Sequence, residues 1–513
     1  MSPIDLGVVI VYVVGVTALG AWLGARSEGL RDYFLGSSQI PAWAVMISIV
    51  ATETSTATFL SVPGIAYKAD FTYLQLAIGY LIGRAIVSAV LLPSYFRGEI
   101  FTAYQVLQNR FGGATKTTAS ILFLITRTLG DGLRLFLAAK VLQLLYLGMQ
   151  GPDFQPHGWE MPLAILAVGG MTILYTYIGG MKAVIWTDVI QFAVYMLGAV
   201  FAMGLMAHLL PGGWAEIWRA GSAEGKFRLF DFGLDLTRPY TFWAGVLGGM
   251  VLNTATHGAD QLMVQRYLSA RSQQQAAGAL LVSGVVVLAQ FALFLLIGVG
   301  LWVFYQEFPP VNAANPEVIH ELKADEEFTY FIVNYLPTGV LGLVVAAIFS
   351  AAMSTLSSSL NASASSTVND LYRPLVPKAS ERHLLRLSRG LTLVWGLAQM
   401  GVAYAAIGLQ DNVVNNALAI ASFVTGLLLG VFLLGILTQR VGQTAALIGL
   451  WAGLAAVSYA KFGPLLPGWL YPFDGALAWP WYALVGSTTV YAVGWLASFV
   501  FPSKDPFLDD KLT

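Results

Sequence analysis

The chain has 513 residues, of which 57% are hydrophobic and only 11% are charged, and its mean hydropathy is +0.69. Because an ordinary soluble domain carries about 25% charged residues, this composition predicts a polytopic membrane protein. The net charge of −1 excludes the basic field expected of a nucleic-acid-binding protein. The absence of cysteine excludes disulfide, iron–sulfur and thiolate chemistry, and the five histidines show no metal-ligand spacing.

Apolar segments long enough to cross roughly 30 Å of hydrocarbon recur along the whole sequence. We predict thirteen of them: a leading helix, ten core helices numbered in chain order, and two trailing helices. Their approximate limits are 5–24, 41–64, 71–93, 117–148, 160–179, 183–210, 238–265, 274–305, 335–367, 385–408, 411–438, 441–462 and 478–500. The predicted divisions are 1–40 (leading helix and loop), 41–210 (core helices 1–5), 211–438 (core helices 6–10) and 439–513 (trailing helices and tail).

The ends of the chain are predicted to lie on opposite sides of the cell inner (plasma) membrane. Residues 5–24 follow no basic region and precede no cleavage site, so they indicate a retained helix rather than a signal peptide. Lys and Arg concentrate in alternate loops, with only 211–237 as an exception in the opposite set. The positive-inside rule then places the N-terminus outside and the C-terminus in the cytoplasm.

Core helix 1 carries an unusual polar centre. Its stretch 51–58 holds one carboxylate, Glu53, and five hydroxyl residues. A carboxylate at mid-bilayer costs roughly 2.5–3.5 kcal/mol on insertion scales, so this stretch should be buried among helices or line a wet cavity. Helices that break at the midplane free backbone carbonyls that can hold a small cation. The pattern predicts an ion and solute site, with a polar helix that merely bonds its neighbours as the alternative.

Core helix 6 is interrupted in a similar way. It carries Gly248 and Gly249, followed by a polar run that ends in Asp260 and Gln261. Two interrupted helices five apart are the expected sign of an inverted five-plus-five repeat with the binding site between them. His257 in this run is interpreted as a hydrogen-bonded helix residue rather than a metal ligand.

Core helix 8 presents a ladder of hydroxyls. Ser350, Ser354, Ser357 and Ser358 follow i, i+4, i+7, i+8 spacing and therefore share one helix face. Neutral hydroxyl and carbonyl oxygens suit an alkali cation that must be released in every cycle. The alternative is close helix packing, in which small residues let the backbones approach and the hydroxyls bond backbone carbonyls.

Further charges are predicted inside core helices 3 and 5. Arg127, Asp131 and Arg134 share one face of core helix 3 and leave one positive charge over, which could hold a solute carboxylate. A closed internal ion network, or an arginine that reaches the headgroups, is the alternative. Asp188 starts core helix 5, where an interfacial acid that complements the helix dipole is the simplest interpretation. Arg84 is a buried polar candidate of low specificity.

Five stretches in this order make the chain resemble the sodium:solute symporter family over roughly residues 5–460. They are 51–59 (ATETSTATF), 104–112 (YQVLQNRFG), 177–191 (YIGGMKAVIWTDVIQ), 260–267 (DQLMVQRY) and the serine ladder of core helix 8. The resemblance implies an all-α, leucine-transporter-like fold built on an inverted five-plus-five repeat. It also implies sodium-coupled symport of a small organic solute by alternating access.

The resemblance implies specific ligands. The main sodium site matches the carbonyls of Ala51, Thr54 and Ala351 and the hydroxyls of Ser354 and Thr355. A second sodium site matches Asp188, Ser357 and Ser358. The implied solute-binding residues are Glu53, Ser55, Thr58, Gln75, Arg127, His257, Asp260, Gln261, Gln290, Ser422 and Thr425.

Two departures from the family bear on the solute and the coupling ion. Glu53 stands where relatives often have a shorter or neutral residue, so it could hold the cation, pair with Arg127 or a solute amine, or take up a proton. The charges of core helix 3 favour a carboxylate-bearing or other anionic solute over a neutral sugar.

The resemblance therefore implies a transporter with one or two sodium ions, and we expect no organic cofactor and no obligate protein partner. Proton coupling through Glu53, a neutral sugar or amino acid as solute, and a non-transporting solute sensor are the alternatives. An enzyme is not expected, because no nucleophile–base pair, metal cluster or phosphate loop is evident.

Overall fold

The computed structural model describes residues 2–24, 29–98, 100–150, 157–312, 315–319, 322, 326–408, 413–471 and 475–503. Within them the fold is helical apart from one short antiparallel hairpin, β1 (Val311–Asn312) with β2 (Asn315–Ile319). Of the described helices, six are long and apolar enough to cross a membrane, or seven if one bent pair counts as a span. These findings agree with an all-α membrane protein, and the count of thirteen spans stays a prediction.

The first part of the chain forms a leading helix and a set of helices around a broken span. The helices are α1 (Pro3–Gly24), α2 (Leu30–Leu35), α3 (Ala42–Glu53), α4 (Thr56–Lys68), α5 (Leu74–Ile86), α6 (Leu92–Tyr95), α7 (Tyr104–Phe111), α8 (Gly113–Gln150), α9 (Glu160–Leu209) and α10 (Gly213–Ala223). A π-helical turn, Val87–Leu91, joins α5 to α6.

The second part contains the other interrupted span and the serine-rich helix. Its helices are α11 (Gly249–Ala259), α12 (Gln261–Ser269), α13 (Gln273–Glu307), α14 (Glu327–Tyr335), α15 (Val340–Ser366), α16 (Arg373–Leu375), α17 (Glu381–Ala405), α18 (Val413–Leu437), α19 (Gln443–Phe462) and α20 (Pro480–Ala497). The π-helical turns Trp243–Gly248 and Thr367–Tyr372 precede α11 and follow α15.

Three breaks shape the bundle. At the first break, the axes of the helices Ala42–Glu53 and Thr58–Lys68 are inclined to each other by 60°. Asp260, which is extended, separates α11 from α12. Inside α9 the chain turns at Gly180, whose φ of +58° is left-handed and whose added Cβ would meet Tyr33 O at 2.6 Å. Glycine is needed there on both counts. The predicted core helices 4 and 5 are therefore two arms of one assigned helix that meet at this turn.

The buried core of the bundle lies around α15. Helix α15 is buried along nearly its whole length, and the main hydrophobic cluster joins it to α3, α9 and α13. The leading helix α1 packs on α9 and α15. Asp5 anchors it, because one carboxylate oxygen accepts from the backbone amides of Gly339 (2.6 Å) and Gly342 (2.9 Å) at the start of α15.

Candidate functional site

The break between α3 and α4 follows the polar centre of the predicted core helix 1. Helix α3 ends at Glu53, Thr54 and Ser55 are extended, and α4 begins at Thr56. The Ser55 hydroxyl caps α4 by accepting from the Thr58 amide at 3.4 Å. The last carbonyls of a helix and the first amides of the next lack intrahelical partners. The break therefore offers oxygens to a cation on one side and amide donors to an anion on the other.

Helix α15 passes this break within hydrogen-bond distance. Thr355 Oγ1 donates to the Thr52 carbonyl at 3.2 Å, and Thr56 Oγ1 donates to the Ile348 carbonyl at 3.3 Å. The five residues predicted for the main sodium site lie at this crossing and are buried: Ala51, Thr54, Ala351, Ser354 and Thr355. The structure thus brings the end of α3 and the hydroxyl face of α15 together.

Gln290 of α13 supports the break from a third side. Its Nε2 donates to Thr54 Oγ1 at 2.6 Å, and its Oε1 accepts from the Tyr195 hydroxyl at 3.3 Å. Thr54 Oγ1 in turn donates to the Val50 carbonyl at 2.9 Å. The Thr54 side chain is therefore fully hydrogen-bonded, and the role of its backbone carbonyl as a sodium ligand stays a prediction.

Asp188 lies inside the bundle and bonds hydroxyls of two other helices. Its interpretation as an acid at the membrane interface is therefore wrong. It lies inside α9 and is fully buried. Its Oδ1 accepts from Ser354 Oγ at 2.7 Å, and its Oδ2 accepts from Ser48 Oγ at 2.5 Å and Thr52 Oγ1 at 3.5 Å. The acid therefore ties α9 to both helices of the predicted main sodium site.

Arg266 supplies the countercharge of Asp188, although it lies one residue beyond the predicted limit of core helix 6 at 265. It lies in α12, is 1% exposed, and brings Nη2 to 3.3 Å from Asp188 Oδ2. The guanidinium also donates to Ser48 Oγ, at 3.0 Å, and to Ser358 Oγ. The predicted second sodium site is thus partly occupied by an arginine. The signal was available in the stretch 260–267, because a buried Asp requires a cation nearby.

Glu53 pairs with Arg84 of α5, not with Arg127. Glu53 Oε2 contacts Arg84 Nη2 and lies 3.6 Å from His257 Nε2. The Glu53 side chain is 14% exposed, whereas that of Arg84 is fully buried. His257 Nδ1 lies 2.7 Å from the Tyr267 hydroxyl, which makes His257 a hydrogen-bonded residue as interpreted. Arg84 also donates to Ser283 Oγ at 3.1 Å.

The charges of α8 form a closed network, which was the alternative prediction. Arg127 Nη2 lies 2.5 Å from Asp260 Oδ2, and its Nη1 lies 3.7 Å from Asp131 Oδ2. Arg134 pairs with Asp131 Oδ1. Asp260 Oδ1 accepts from the Leu262 amide at 2.9 Å and so caps α12. The charge thought to be left over on α8 is compensated by Asp260, which joins α8 to the break between α11 and α12.

The remaining predicted solute residues fall into three pairs. Gln75 donates to the carbonyls of Thr72 and Tyr240, and Gln261 bonds Phe101 and Ala103, so both amides hold backbone. Ser55 and Thr58 line the start of α4. Thr425 is buried in α18, and the side chain of Ser422 lies outside the described residues.

Within the part of the chain that the structure describes, the ionic groups around the two breaks balance. Four acids face four arginines: Glu53 with Arg84, Asp188 with Arg266, and Asp131 and Asp260 with Arg127 and Arg134. With His257 neutral, their formal sum is zero. A cation that enters this low-dielectric region alone would leave it with an uncompensated charge.

Three comparisons with known proteins identify the family and the fold of the chain. The model of the sodium:solute symporter family matches residues 33–453. The chain is 30% identical to the human sodium/iodide cotransporter over 477 residues, covering 90% of this chain and 70% of that protein. It is 27% identical to the sodium/sialic acid symporter SiaT of Proteus mirabilis (strain HI4320), covering 99% and 98% of the two chains. The solved substrate-bound outward-open state of a Na+-coupled sialic acid symporter superposes with a TM-score of 0.83 at 26% identity, covering 98% and 99%.

Proposed function

The chain belongs to the sodium:solute symporter family, and from this premise we propose that it takes up a small organic anion with sodium by alternating access. The resemblance predicted from the sequence is confirmed, and the protein is a sodium-coupled membrane transporter rather than an enzyme. The observation that carries the proposal is the contact of the broken α3–α4 span with α15, where Thr355 reaches the Thr52 carbonyl.

The main sodium ion is proposed to bind at this contact. Its ligands would be the carbonyls of Ala51, Thr54 and Ala351 with the hydroxyls of Ser354 and Thr355. The end of α3 would contribute two carbonyls, and α15 would contribute one carbonyl and two hydroxyls. Together they give the neutral hard-oxygen set that an alkali cation prefers. A cation there would hold α3 against α15, which is how binding an ion would shape the neighbouring solute site.

A second sodium ion is proposed near Asp188, with Ser357 and Ser358 as partners. Support comes from the buried carboxylate that already joins Ser354 to Ser48. Because Arg266 donates to Ser358 and pairs with Asp188, this ion would require the guanidinium to move away. Sodium and Arg266 would therefore compete for one carboxylate.

An anionic solute follows from the charge balance. The four acids and four arginines described around the two breaks cancel, so one sodium leaves a net charge of +1 that a carboxylate on the solute would neutralise. The first turn of α4, with Ser55 and Thr58, offers backbone amides beside Glu53. The proposed solute residues are those predicted from the sequence: Glu53, Ser55, Thr58, Gln75, Arg127, His257, Asp260, Gln261, Gln290, Ser422 and Thr425.

Alternating access is proposed to move the two halves of the inverted repeat against each other. We assign residues 41–210 and 211–438 to the repeats within thirteen spans, with the N-terminus outside and the C-terminus in the cytoplasm. The equivalent positions of the breaks at Thr54 and Asp260 support this assignment.

Proton coupling through Glu53 is less well supported than sodium coupling. Arg84 is buried against Glu53 and stabilises its charged form, so protonation would leave the guanidinium without a counterion. A solute-binding sensor without transport would show the same ligand binding but no flux.

A thermal-shift screen of the purified protein tests the proposal. Carboxylates, sugars and amino acids are compared in sodium and in potassium, because a ligand that binds only the native state raises the melting temperature. We expect a carboxylate to stabilise the protein in sodium alone, and vesicles loaded with that carboxylate to show counterflow. Stabilisation by a neutral sugar would refute the anionic class, and binding without counterflow would indicate a sensor.

A further inference from the structure

A second polar cluster lies under the leading helix, where the transport cycle described above assigns no role. Gln191 of α9 is fully buried. Among the residues that the structure describes, neither its Oε1 nor its Nε2 has a hydrogen-bond partner. The hydroxyl of Tyr12 on α1 is buried and lacks a partner in the same part of the chain. Three unpaired polar atoms in one place inside a membrane protein are costly unless something satisfies them.

The groups around Gln191 form a continuous seam. The Tyr12 hydroxyl lies beside the Gln191 amide and the Ser350 hydroxyl. Tyr175 of α9 lies beside Gln191 and Ser357, and its hydroxyl donates to the Met353 carbonyl at 2.8 Å. Ser350, Ser354 and Ser357 share one face of α15. The seam therefore runs along α15 on both sides of Ser354, whose hydroxyl bonds Asp188.

The chemistry of the seam selects its occupant. Nε2 of Gln191 can only donate and its Oε1 can only accept, whereas the Tyr12 and serine hydroxyls can do both. A bare cation would satisfy only the acceptors. A water molecule satisfies both kinds, and buried waters typically make about three hydrogen bonds to such groups.

We infer that α1, α9 and α15 enclose a water-binding pocket around Gln191, Tyr12 and Tyr175, and that its water exchanges with the sodium region at Asp188. The pocket gives the leading helix a function, since α1 forms its outer wall and Asp5 fixes α1 to α15. Water next to Ser354 and Ser357 lowers the cost of stripping and restoring the hydration of sodium. The link to sodium rests on the proposed sodium sites, whereas the hydration of the pocket does not.

Radiolytic hydroxyl-radical labelling of the full-length protein in nanodiscs tests the hydration, since bound water is the local source of radicals. Tyr175 is compared with Tyr95, which is equally buried and donates to the Gly258 carbonyl. We expect Tyr175 to be labelled several-fold faster than Tyr95, and the difference to disappear in Gln191→Leu. Equal labelling of the two tyrosines in the native protein would overturn the inference.

The melting temperature gives a second test, because a hydrated and a dry pocket predict changes of opposite sign. In a hydrated pocket, Gln191→Leu lowers the melting temperature because the water loses its partners; in a dry pocket it removes two unpaired atoms and raises it. Gln191→Met repeats the test if the leucine variant does not fold. Gln399→Leu is the matched control, because this buried amide donates to Ser359 at 2.9 Å and its loss is destabilising in either case.

A separate measurement tests the exchange of water between the pocket and the sodium region. The sodium concentration for half-maximal thermal stabilisation should rise about fivefold in Gln191→Leu, the equivalent of one typical hydrogen bond. The same concentration should be unchanged in Gln399→Leu. An unchanged value in Gln191→Leu would overturn the exchange with the sodium region, even if labelling had shown the pocket to be wet.

Discussion

The pair Glu53–Arg84 allows a prediction whose size follows from burial. Arg84 is fully buried and Glu53 is 14% exposed, so removing one member leaves the other charged and desolvated. Breaking a buried ion pair in this way costs about 3–5 kcal/mol. Arg84 keeps its bond to Ser283 in Glu53→Gln, and Glu53 is partly exposed, so we expect the lower end, about 3 kcal/mol, for this variant.

Replacing both members tests whether the cost comes from the unpaired charge. Arg84→Gln alone should destabilise the protein at least as much as Glu53→Gln, since of the described residues only His257 then remains within ion-pair distance of the carboxylate. The double variant should recover most of the loss, because no buried charge remains. The free energy of unfolding is measured for the four proteins at equal ionic strength, which yields the coupling energy directly.

An exposed pair on α10 provides the control. Arg219 is 76% exposed and pairs with Glu216 at 2.7 Å, so Arg219→Gln should change the unfolding free energy by only about 0.5 kcal/mol. If Glu53→Gln were as mild as this control, or if the double variant were less stable than both single variants, the reasoning from burial would be refuted. Transport driven by a pH gradient without sodium, and lost in Glu53→Gln, would instead establish proton coupling.

Three further predictions concern the ion sites and the leading helix. Thr355→Val removes a hydroxyl from the proposed main sodium site, so the sodium concentration for half-maximal uptake should rise about tenfold while stability changes by about 1 kcal/mol. Asp188→Asn leaves Arg266 buried without a counterion and should destabilise the protein by about 3–5 kcal/mol in chemical unfolding, and adding Arg266→Met should restore much of it. Asp5→Ala removes the acceptor for two amides at the start of α15, so the free energy of unfolding should fall by about 1–2 kcal/mol in chemical unfolding.

The breaks could be predicted from the sequence because each is a local conflict. Between Ala51 and Thr58 an apolar span fills with hydroxyls around Glu53, and a lipid-facing helix cannot satisfy them. The run that ends at Asp260 shows the same conflict, and the structure breaks the helix at both places. Spacing along one helix also gave the contact of Arg127 with Asp131, since residues four apart are neighbours.

The partners of the buried charges could not be predicted in the same way. Glu53 and Arg84 are 31 positions apart, Asp188 and Arg266 are 78 apart, and Arg127 and Asp260 are 133 apart. Each pair joins different helices, and which helices meet depends on the packing of the whole bundle. An isolated sequence shows that a buried charge needs a partner but offers several candidates. For this reason the sequence indicates Arg84 only as a candidate of low specificity and does not indicate Arg266 as the partner of Asp188.

The balanced charges suggest a physical cause for the proposed sodium coupling. A sodium ion would add one positive charge to a region whose described charges already balance, so its binding would be helped by an anion that enters or an arginine that leaves. The first route would couple sodium to an anionic solute at the start of α4. The second would couple a sodium ion at Asp188 to the release of Arg266, and hence to the position of α12 relative to α3 and α15. Each sodium site would thus have its own consequence: one selects the solute, and the other moves a helix.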